Sequence, residues 1–399
     1  MELKNRMVRS ATFEGMADPG GAPSRDLFRL YERLAKSGVG LIITGAVYVS
    51  EDGKPPFFGV SAIRDENISR YRDLVRHVHK QGARVAMQIF HAGRQTFKEV
   101  TGVQPISPSA IEDKSLFVKP RAMTEDDIER VINDFSVSAR RVREAGFDAL
   151  QIHGAHGYLV SQFLCPHTNR RTDSWGGSVE NRMRFVREIY ERCRKEVGRD
   201  FPILIKINGS DNMKNGLKPE ESAVMAEMMS NMGFDGIEVS CGIGEDGLSL
   251  LRGDIPIEAM LKEWPIYQNK SFLFRFIMKH FGKKMMNTPP LFEAYNRESA
   301  RLIKSKVKVP VFLVGGVTDP ATMEEIVKSG DADYISLGRA LIADPGFVEK
   351  IRNGSRERSK CIHCNLCLAY MLTFPLKCYN GKMIDNRQKR GAIADEVAG

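Results

Sequence analysis

His153, His156 and Tyr158 fall within one short string, QIHGAHGYL at residues 151–159, just where an apolar run gives out. Two imidazoles and a phenol so placed can converge on one oxygen and one proton site. Imidazole N–H groups hold a carbonyl or the oxyanion developing on it, and a tyrosine hydroxyl delivers a proton to carbon. Two blander readings stand beside this one: a zinc-binding pair, or histidines satisfied by the backbone. No HExxH string is present, and no third ligand lies close in sequence. A second group is FLVGGVTDP (312–320) with SLGRALIADP (336–345). Gly315, Gly316 and Gly338 would let backbone N–H groups approach a phosphate, and Arg339 would supply the countercharge. Ordinary tight turns are the alternative. Third, Lys206 interrupts the apolar run PILIKI, and Gln88 interrupts VAMQIF. A lysine there must find a partner or reach solvent, and a salt bridge to a neighbouring strand would suffice. A buried Gln88 needs hydrogen-bond partners. Fourth, Cys361, Cys364, Cys367 and Cys378 follow a C-x2-C-x2-C-x10-C spacing. Four thiolates at this density suit a [4Fe–4S] cluster or zinc, and thiolate softness alone does not separate the two.

The elements that must position these residues recur in a regular order. The apolar runs lie at 6–12, 40–47, 84–90, 148–153, 202–207, 236–240, 310–316 and 334–339. Between them stand amphipathic stretches such as EDDIERVINDFSVSARRVREAG and ENRMRFVREIYERCRKEV. Strand–helix alternation of this kind predicts an α/β fold, a TIM (β/α)8 barrel. A doubly wound open sheet would carry a Gly-rich turn after its first strand, and none is there. In a barrel, chemistry gathers at the C-terminal strand ends, with phosphate after strands seven and eight. The barrel is expected over 1–350, with an insertion after strand six at about 241–295, and a Cys-rich segment and tail over 351–399. The insertion contains SFLFRFIMKHFGKKMM, which is both basic and aromatic. It reads as a helix packed over the barrel, with a membrane- or partner-binding helix as the alternative. The tail beyond Lys382 is polar and expected to be loosely held.

Length, charge and cysteine usage narrow the class. The 399 residues suit one barrel with additions. No apolar run reaches the roughly 18 residues of a membrane span, and the opening MELKNRMVRS lacks the apolar core of a secretory signal, so the cytoplasm is the expected location. The net charge of +9 is spread among acidic residues, and no nucleic-acid motif appears, which favours anionic small molecules over nucleic acid. Seven cysteines, four of them crowded near the end, read as metal or cluster ligation in a reducing compartment rather than disulfides.

KNR at 4–6, HAGR at 91–94, HGAHGYL at 153–159, NRRTDSWGGSVENR at 169–182, VGG at 314–316 and LGRALIADP at 337–345 together resemble the Old Yellow Enzyme family. The resemblance runs in order from residue 1 to about 350. It implies FMN at the barrel mouth and NAD(P)H as electron donor. Ser10, Ala11 and Thr12 would line the flavin through backbone contacts. Ala46 would lie near the ring, and Gln88 would meet its pyrimidine edge. Lys206 would take the place of the family's basic residue near N1, and Gly315, Gly316, Gly338 and Arg339 would hold the phosphate. His153 and His156 would bind the carbonyl oxygen of an α,β-unsaturated carbonyl or enoyl thioester, with Tyr158 protonating carbon. The cysteine string is similar to those of 2,4-dienoyl-CoA reductase and trimethylamine dehydrogenase, which implies a [4Fe–4S] cluster beside the flavin.

The sequence departs from those larger enzymes in three ways. After the barrel it reaches Gly399 without a GxGxxG string, so electrons are expected from free NAD(P)H or from a separate partner through the cluster. Phe13 stands where relatives often carry a cysteine, threonine or histidine near the flavin C4 carbonyl. The chain begins at MELKNR, without a short leading segment common in the family, which suggests a truncated start or a missing bottom cap. The expected reaction is hydride transfer between reduced flavin and a C=C bond in a homo-oligomeric enzyme. Two alternatives are an amine or acyl dehydrogenase passing electrons through the cluster, and a non-catalytic electron carrier or redox sensor with structural zinc.

Overall fold

Apolar, β-branched segments followed by amphipathic helices close into a ring in the computed structural model, which describes residues 1–56 and 59–381. The barrel strands are β1 (Met7–Arg9), β2 (Leu41–Ile43), β3 (Arg84–Phe90), β4 (Ala149–Gly154), β5 (Ile203–Asn208), β6 (Gly236–Ser240), β7 (Val311–Val314) and β8 (Tyr334–Leu337). Each pairs in parallel with the next, and β8 returns to β1 through Met7↔Ile335. The chain is therefore the expected (β/α)8 barrel, with strand ends shorter than the apolar runs suggest. A further short strand, Val47–Tyr48, extends the sheet beside the end of β3.

Side chains alternate across a strand, so every second residue points into the barrel. The lowest interior layer is apolar: Val8, Leu41, Ile43, Ala86, Ala149, Leu204 and Phe312 pack as a cluster of their own. Two residues further along their strands the interior turns polar, with Ser10, Gln88, Gln151, Lys206, Glu238 and Ser336 all buried. Above these, Phe90, His153, Asn208 and Ser240 reach the C-terminal mouth. A polar layer costs more to bury than an apolar one unless it is hydrogen-bonded, and this one lies directly beneath the mouth.

The outer helices seal the ring. Helix Glu125–Glu144 starts at a capping box built by Thr124 and Asp127, and Ser178 caps helix Val179–Val197. Ile128, Val131, Ile132, Phe135, Ala139 and Val142 give the first helix a stripe at three- and four-residue spacing, all in the main core. No helix of the described residues is long and apolar enough to cross a membrane.

The segment after β6 differs from expectation. Helix Phe272–Met286 fully buries only Gly282. Its partly buried Phe274, Met278 and Met286 rest on a separate small core of Ile255, Ile257, Met260, Leu261, Tyr267 and Ala369, not on the barrel. Ala369 comes from the Cys-rich segment, and its carbonyl accepts from Trp264 Nε1 at 3.1 Å. The insertion and the Cys-rich segment therefore share one core. The tail beyond Lys382 lies outside the described residues.

Candidate active site at the barrel mouth

At the end of β4 the chain is held in a shape that aims both histidines at the mouth. The amide of Ala155 donates to His153 Nδ1 at 3.3 Å, so the ring proton resides on Nε2, free to donate to a ligand. His156 adopts a left-handed φ of 62°, uncommon for a residue with a side chain and a frequent mark of functional sites. Three contacts impose it. The His156 amide donates to Asn208 Oδ1 at 3.1 Å, its carbonyl accepts from Gln95 Nε2 at 2.7 Å, and its Nε2 meets Ser240 Oγ at 2.7 Å. When Ser240 donates to Nε2, His156 presents Nδ1–H. The two imidazole rings lie 5.0 Å apart and nearly perpendicular.

Tyr158 completes the group. Its ring stands 4.9 Å from both His153 and Phe90, edge to face. Its hydroxyl makes no hydrogen bond to the described residues, and burial pushes its pKa up to about 12, so it carries its proton at neutral pH. Burial holds both histidines well below the usual imidazole range, with Lys206 adding to the effect on each and His156 acting on His153 as well. Both are thus neutral donors at pH 7. The depressed pKa has a consequence for stability. Below about pH 6.5 the unfolded chain binds a proton that folded His153 refuses. The His153 contribution is full above that pH and is lost on acidification by about 1.4 kcal/mol per pH unit, down to the folded pKa. Urea unfolding of His153→Gln should show a correspondingly shallower slope between pH 6.5 and 5, and an unchanged slope would refute this assignment.

The floor of the mouth is the polar layer. Lys206 Nζ donates to Ser10 Oγ at 3.0 Å and pairs with Glu238 Oε2 at 3.2 Å. Burial lowers its pKa and Glu238 opposes the shift. One ammonium N–H remains for a ligand. Gln88 Nε2 donates to Gln151 Oε1 at 2.6 Å, which leaves its own carbonyl free to accept. Ser336 Oγ and Glu238 Oε1 are buried without a partner among the described residues. A cationic donor, an amide carbonyl and unsatisfied polar atoms in one layer fit the pyrimidine edge of a flavin. The Ser10 amide is already spent on the Leu337 carbonyl at 3.0 Å. Ser10 therefore serves the floor through its hydroxyl, while Ala11 and Thr12 are half-buried beside it. Ala46 packs with Tyr158 against Tyr48, Phe90 and Ala92.

Gly315 and Gly316 take φ values of 143° and 69°. A Cβ on either would run into the Tyr295 ring, at 2.8 and 2.7 Å, so glycine is required for this loop to pass Tyr295. A Cβ on Gly338 would meet only Thr12 Oγ1, at 3.7 Å, and that loop is the more open of the two. Arg339 is anchored to the insertion and the Cys-rich segment. Its Nη1 donates to Asn365 Oδ1 at 2.6 Å and to the Arg252 carbonyl at 2.7 Å. It lines one cavity with Asn365 and all four of Cys361, Cys364, Cys367 and Cys378. All seven cysteines are unpaired. Among the described residues no three His, Cys, Asp or Glu groups stand in single-metal-ion geometry.

Sequence reasoning missed Glu238, Asn208 and Ser240, and also the pairing of Arg94 with Glu245, which ties the loop after β3 to the start of the insertion. Glu238 interrupts the apolar run GIEVS just as Lys206 interrupts PILIKI, so the same rule would have found it. Arg94 and Glu245 are 151 residues apart, and no local signal joins them.

Known proteins resemble this chain in sequence and in fold. The chain is 34% identical over 400 residues to an NADH oxidase of Thermoanaerobacter brockii, covering all of this chain and 54% of that one. It thus spans about half the length of that relative. Among solved structures, 2-naphthoyl-CoA reductase superposes with a TM-score of 0.79 at 25% identity, covering 93% of this chain and 53% of that one. The Old Yellow Enzyme homologue of Zymomonas mobilis shares the fold with a TM-score of 0.69 at 23% identity, covering 91% and 92% of the two chains. The sequence pattern of the NADH:flavin oxidoreductase / NADH oxidase family matches residues 1–243 and 257–358, leaving out only a short stretch at the start of the insertion and the C-terminal segment. With the barrel, the flavin-suited floor and these matches together, the chain belongs to the NADH:flavin oxidoreductase / NADH oxidase family.

Proposed function

We propose that this chain is an FMN-dependent reductase of C=C bonds conjugated to a carbonyl or a thioester, fed by NAD(P)H. The observation that carries this reading is the convergence of the His153 Nε2–H, the His156 imidazole and the unpartnered Tyr158 hydroxyl at one strand end. When bound, FMN supplies the hydride. The chain supplies the rest. His153 and His156, both neutral, donate to the carbonyl oxygen and stabilise the charge that grows there as hydride reaches the β-carbon. Tyr158 gives its proton to the α-carbon, which leaves a saturated product. Lys206, Gln88, Ser10, Ala11, Thr12 and Ala46 would surround the isoalloxazine. Gly315, Gly316 and Gly338 would face the phosphate, and Arg339 would bridge that loop to the cysteines. The reducing setting suits seven unpaired cysteines, and we place the enzyme in the cytoplasm. A pure electron carrier would have no use for a histidine pair and a free phenol, which counts against the non-catalytic reading.

The cysteine cavity favours a companion role. Four thiols around one space, joined through Arg339 to the barrel mouth, support a [4Fe–4S] cluster next to the flavin, with zinc as the alternative. A cluster there would also open the reverse reaction, dehydrogenation of an amine or saturated acyl thioester with electrons leaving to a partner protein. One preparation tests all of this. Anaerobically purified protein should show flavin absorbance and about four irons and four sulfides per chain, and a simple enone should reoxidise the NAD(P)H-reduced form. One zinc instead of iron would make the cysteines structural. Bound flavin that no enone reoxidises, but that an amine or acyl thioester reduces, would reverse the proposed direction. Absence of flavin after reconstitution would refute the reading as a whole.

A further inference from the structure

Glu238 has no part in the reaction just described, yet the barrel interior is arranged around it. It stands on β6 in register with Lys206 on β5 and is 1% exposed. Its Oε2 pairs with Lys206 Nζ at 3.2 Å and accepts from Gln151 Nε2 at 3.0 Å. Gln151 in turn holds Gln88 through its own Oε1, at 2.6 Å. The cation and the amide assigned to the pyrimidine edge therefore both hang from one carboxylate. Its second oxygen, Oε1, is buried without a partner among the described residues. A buried carboxylate with an unsatisfied oxygen is costly to keep, and apolar side chains of similar volume can replace a buried ion pair without loss of stability. Packing alone gives no reason for Glu238.

We infer that Glu238 is a positioning and charge-setting residue for the flavin. It fixes Lys206 and Gln151 in place, and its negative charge offsets that of Lys206 beneath the ring. The inference rests on the FMN reading. A lone buried cation would stabilise the extra negative charge of reduced flavin. A neutral pair does so far less, because at these separations in a low-dielectric interior the two charges largely cancel. The carboxylate thus keeps the reduction potential low. A low potential favours delivery of electrons to an electron-poor C=C bond over their withdrawal from an amine.

The test is the flavin potential, read by equilibration with a dye of known potential and independent of turnover. Glu238→Gln keeps the shape and the hydrogen-bond acceptor but removes the charge. The ratio of reduced to oxidised flavin at fixed dye potential should rise about tenfold, equivalent to about 30 mV for this two-electron couple. Lys206→Gln should lower the ratio. The double variant Lys206→Gln/Glu238→Gln leaves no buried charge unpaired. It should stand about tenfold above Lys206→Gln alone, so the proposal remains testable if Glu238→Gln fails to fold. Equal ratios in the wild type and Glu238→Gln, or in Lys206→Gln and the double variant, would overturn this inference and leave the FMN reading intact. Wild-type protein that takes up no FMN would overturn both.

Discussion

Tyr158→Phe should lower kcat/KM for a conjugated C=C substrate by about 10²–10⁴-fold, the usual range for loss of a positioned general acid. The same variant should still take up flavin and still be reduced by NAD(P)H. The substitution removes one oxygen and leaves the ring, which keeps its edge-to-face contacts with Phe90 and His153 at 4.9 Å. The hydroxyl makes no hydrogen bond to the described residues, so its loss strands no partner. With a pKa pushed up to about 12 by burial, it holds its proton throughout the neutral range. Stopped-flow absorbance separates the two half-reactions, and only the reoxidation by enone should slow. Full-rate reoxidation in the variant would transfer the proton to water or another group and end the role assigned to Tyr158.

Glu14→Ala should destabilise the fold by about 3–5 kcal/mol, the usual penalty for removing one partner of a buried ion pair. Glu14 and Arg9 are each 3% exposed. One carboxylate oxygen receives Arg9 Nη2 at 2.7 Å, the Tyr31 hydroxyl at 2.7 Å and the Gly45 amide at 2.9 Å. The penalty arises from what remains behind: a guanidinium held by only two carbonyls, Ile43 at 2.6 Å and Thr12 at 3.0 Å, a tyrosine hydroxyl without an acceptor, and a Gly45 amide left with only that hydroxyl at 3.2 Å. Gly45 is part of the same design, since a Cβ there would overlap the Glu14 carboxylate. The network joins the ends of β1 and β2 to the loop bearing Ala11 and Thr12, so weaker flavin retention should accompany the lost stability. Urea denaturation of the apoprotein measures the first effect. A loss below about 1 kcal/mol would mean that water reaches Arg9 and satisfies it.

The sequence made some of this legible and hid the rest for physical reasons. Buried parallel strands are continuous apolar runs, so each barrel strand was visible, and Lys206 and Gln88 stood out because they break such runs. The HGAHGY string was readable because its three groups are local. Strand ends were overestimated: Met7–Arg9 pairs, while Ser10 to Thr12 continue the same composition beyond the strand. Helix Phe272–Met286 was foreseen as a helix but not its seat, since periodicity shows which face is apolar and not what covers it. Its outward residues include Phe272 at 85% exposure. Arg339 shows the same limit. Its neighbours in sequence suggested a phosphate ligand, and its contact with Asn365 of the Cys-rich segment could be found only in three dimensions.

Ala369 lies at the centre of the small core that the insertion forms with Ile255, Ile257, Met260, Leu261 and Tyr267. Residues from two distant stretches of chain therefore share one apolar core, separate from that of the barrel that carries them. A group that orders the cysteine loop would therefore be expected to tighten the insertion as well, and linkage would make any such effect reciprocal in free energy.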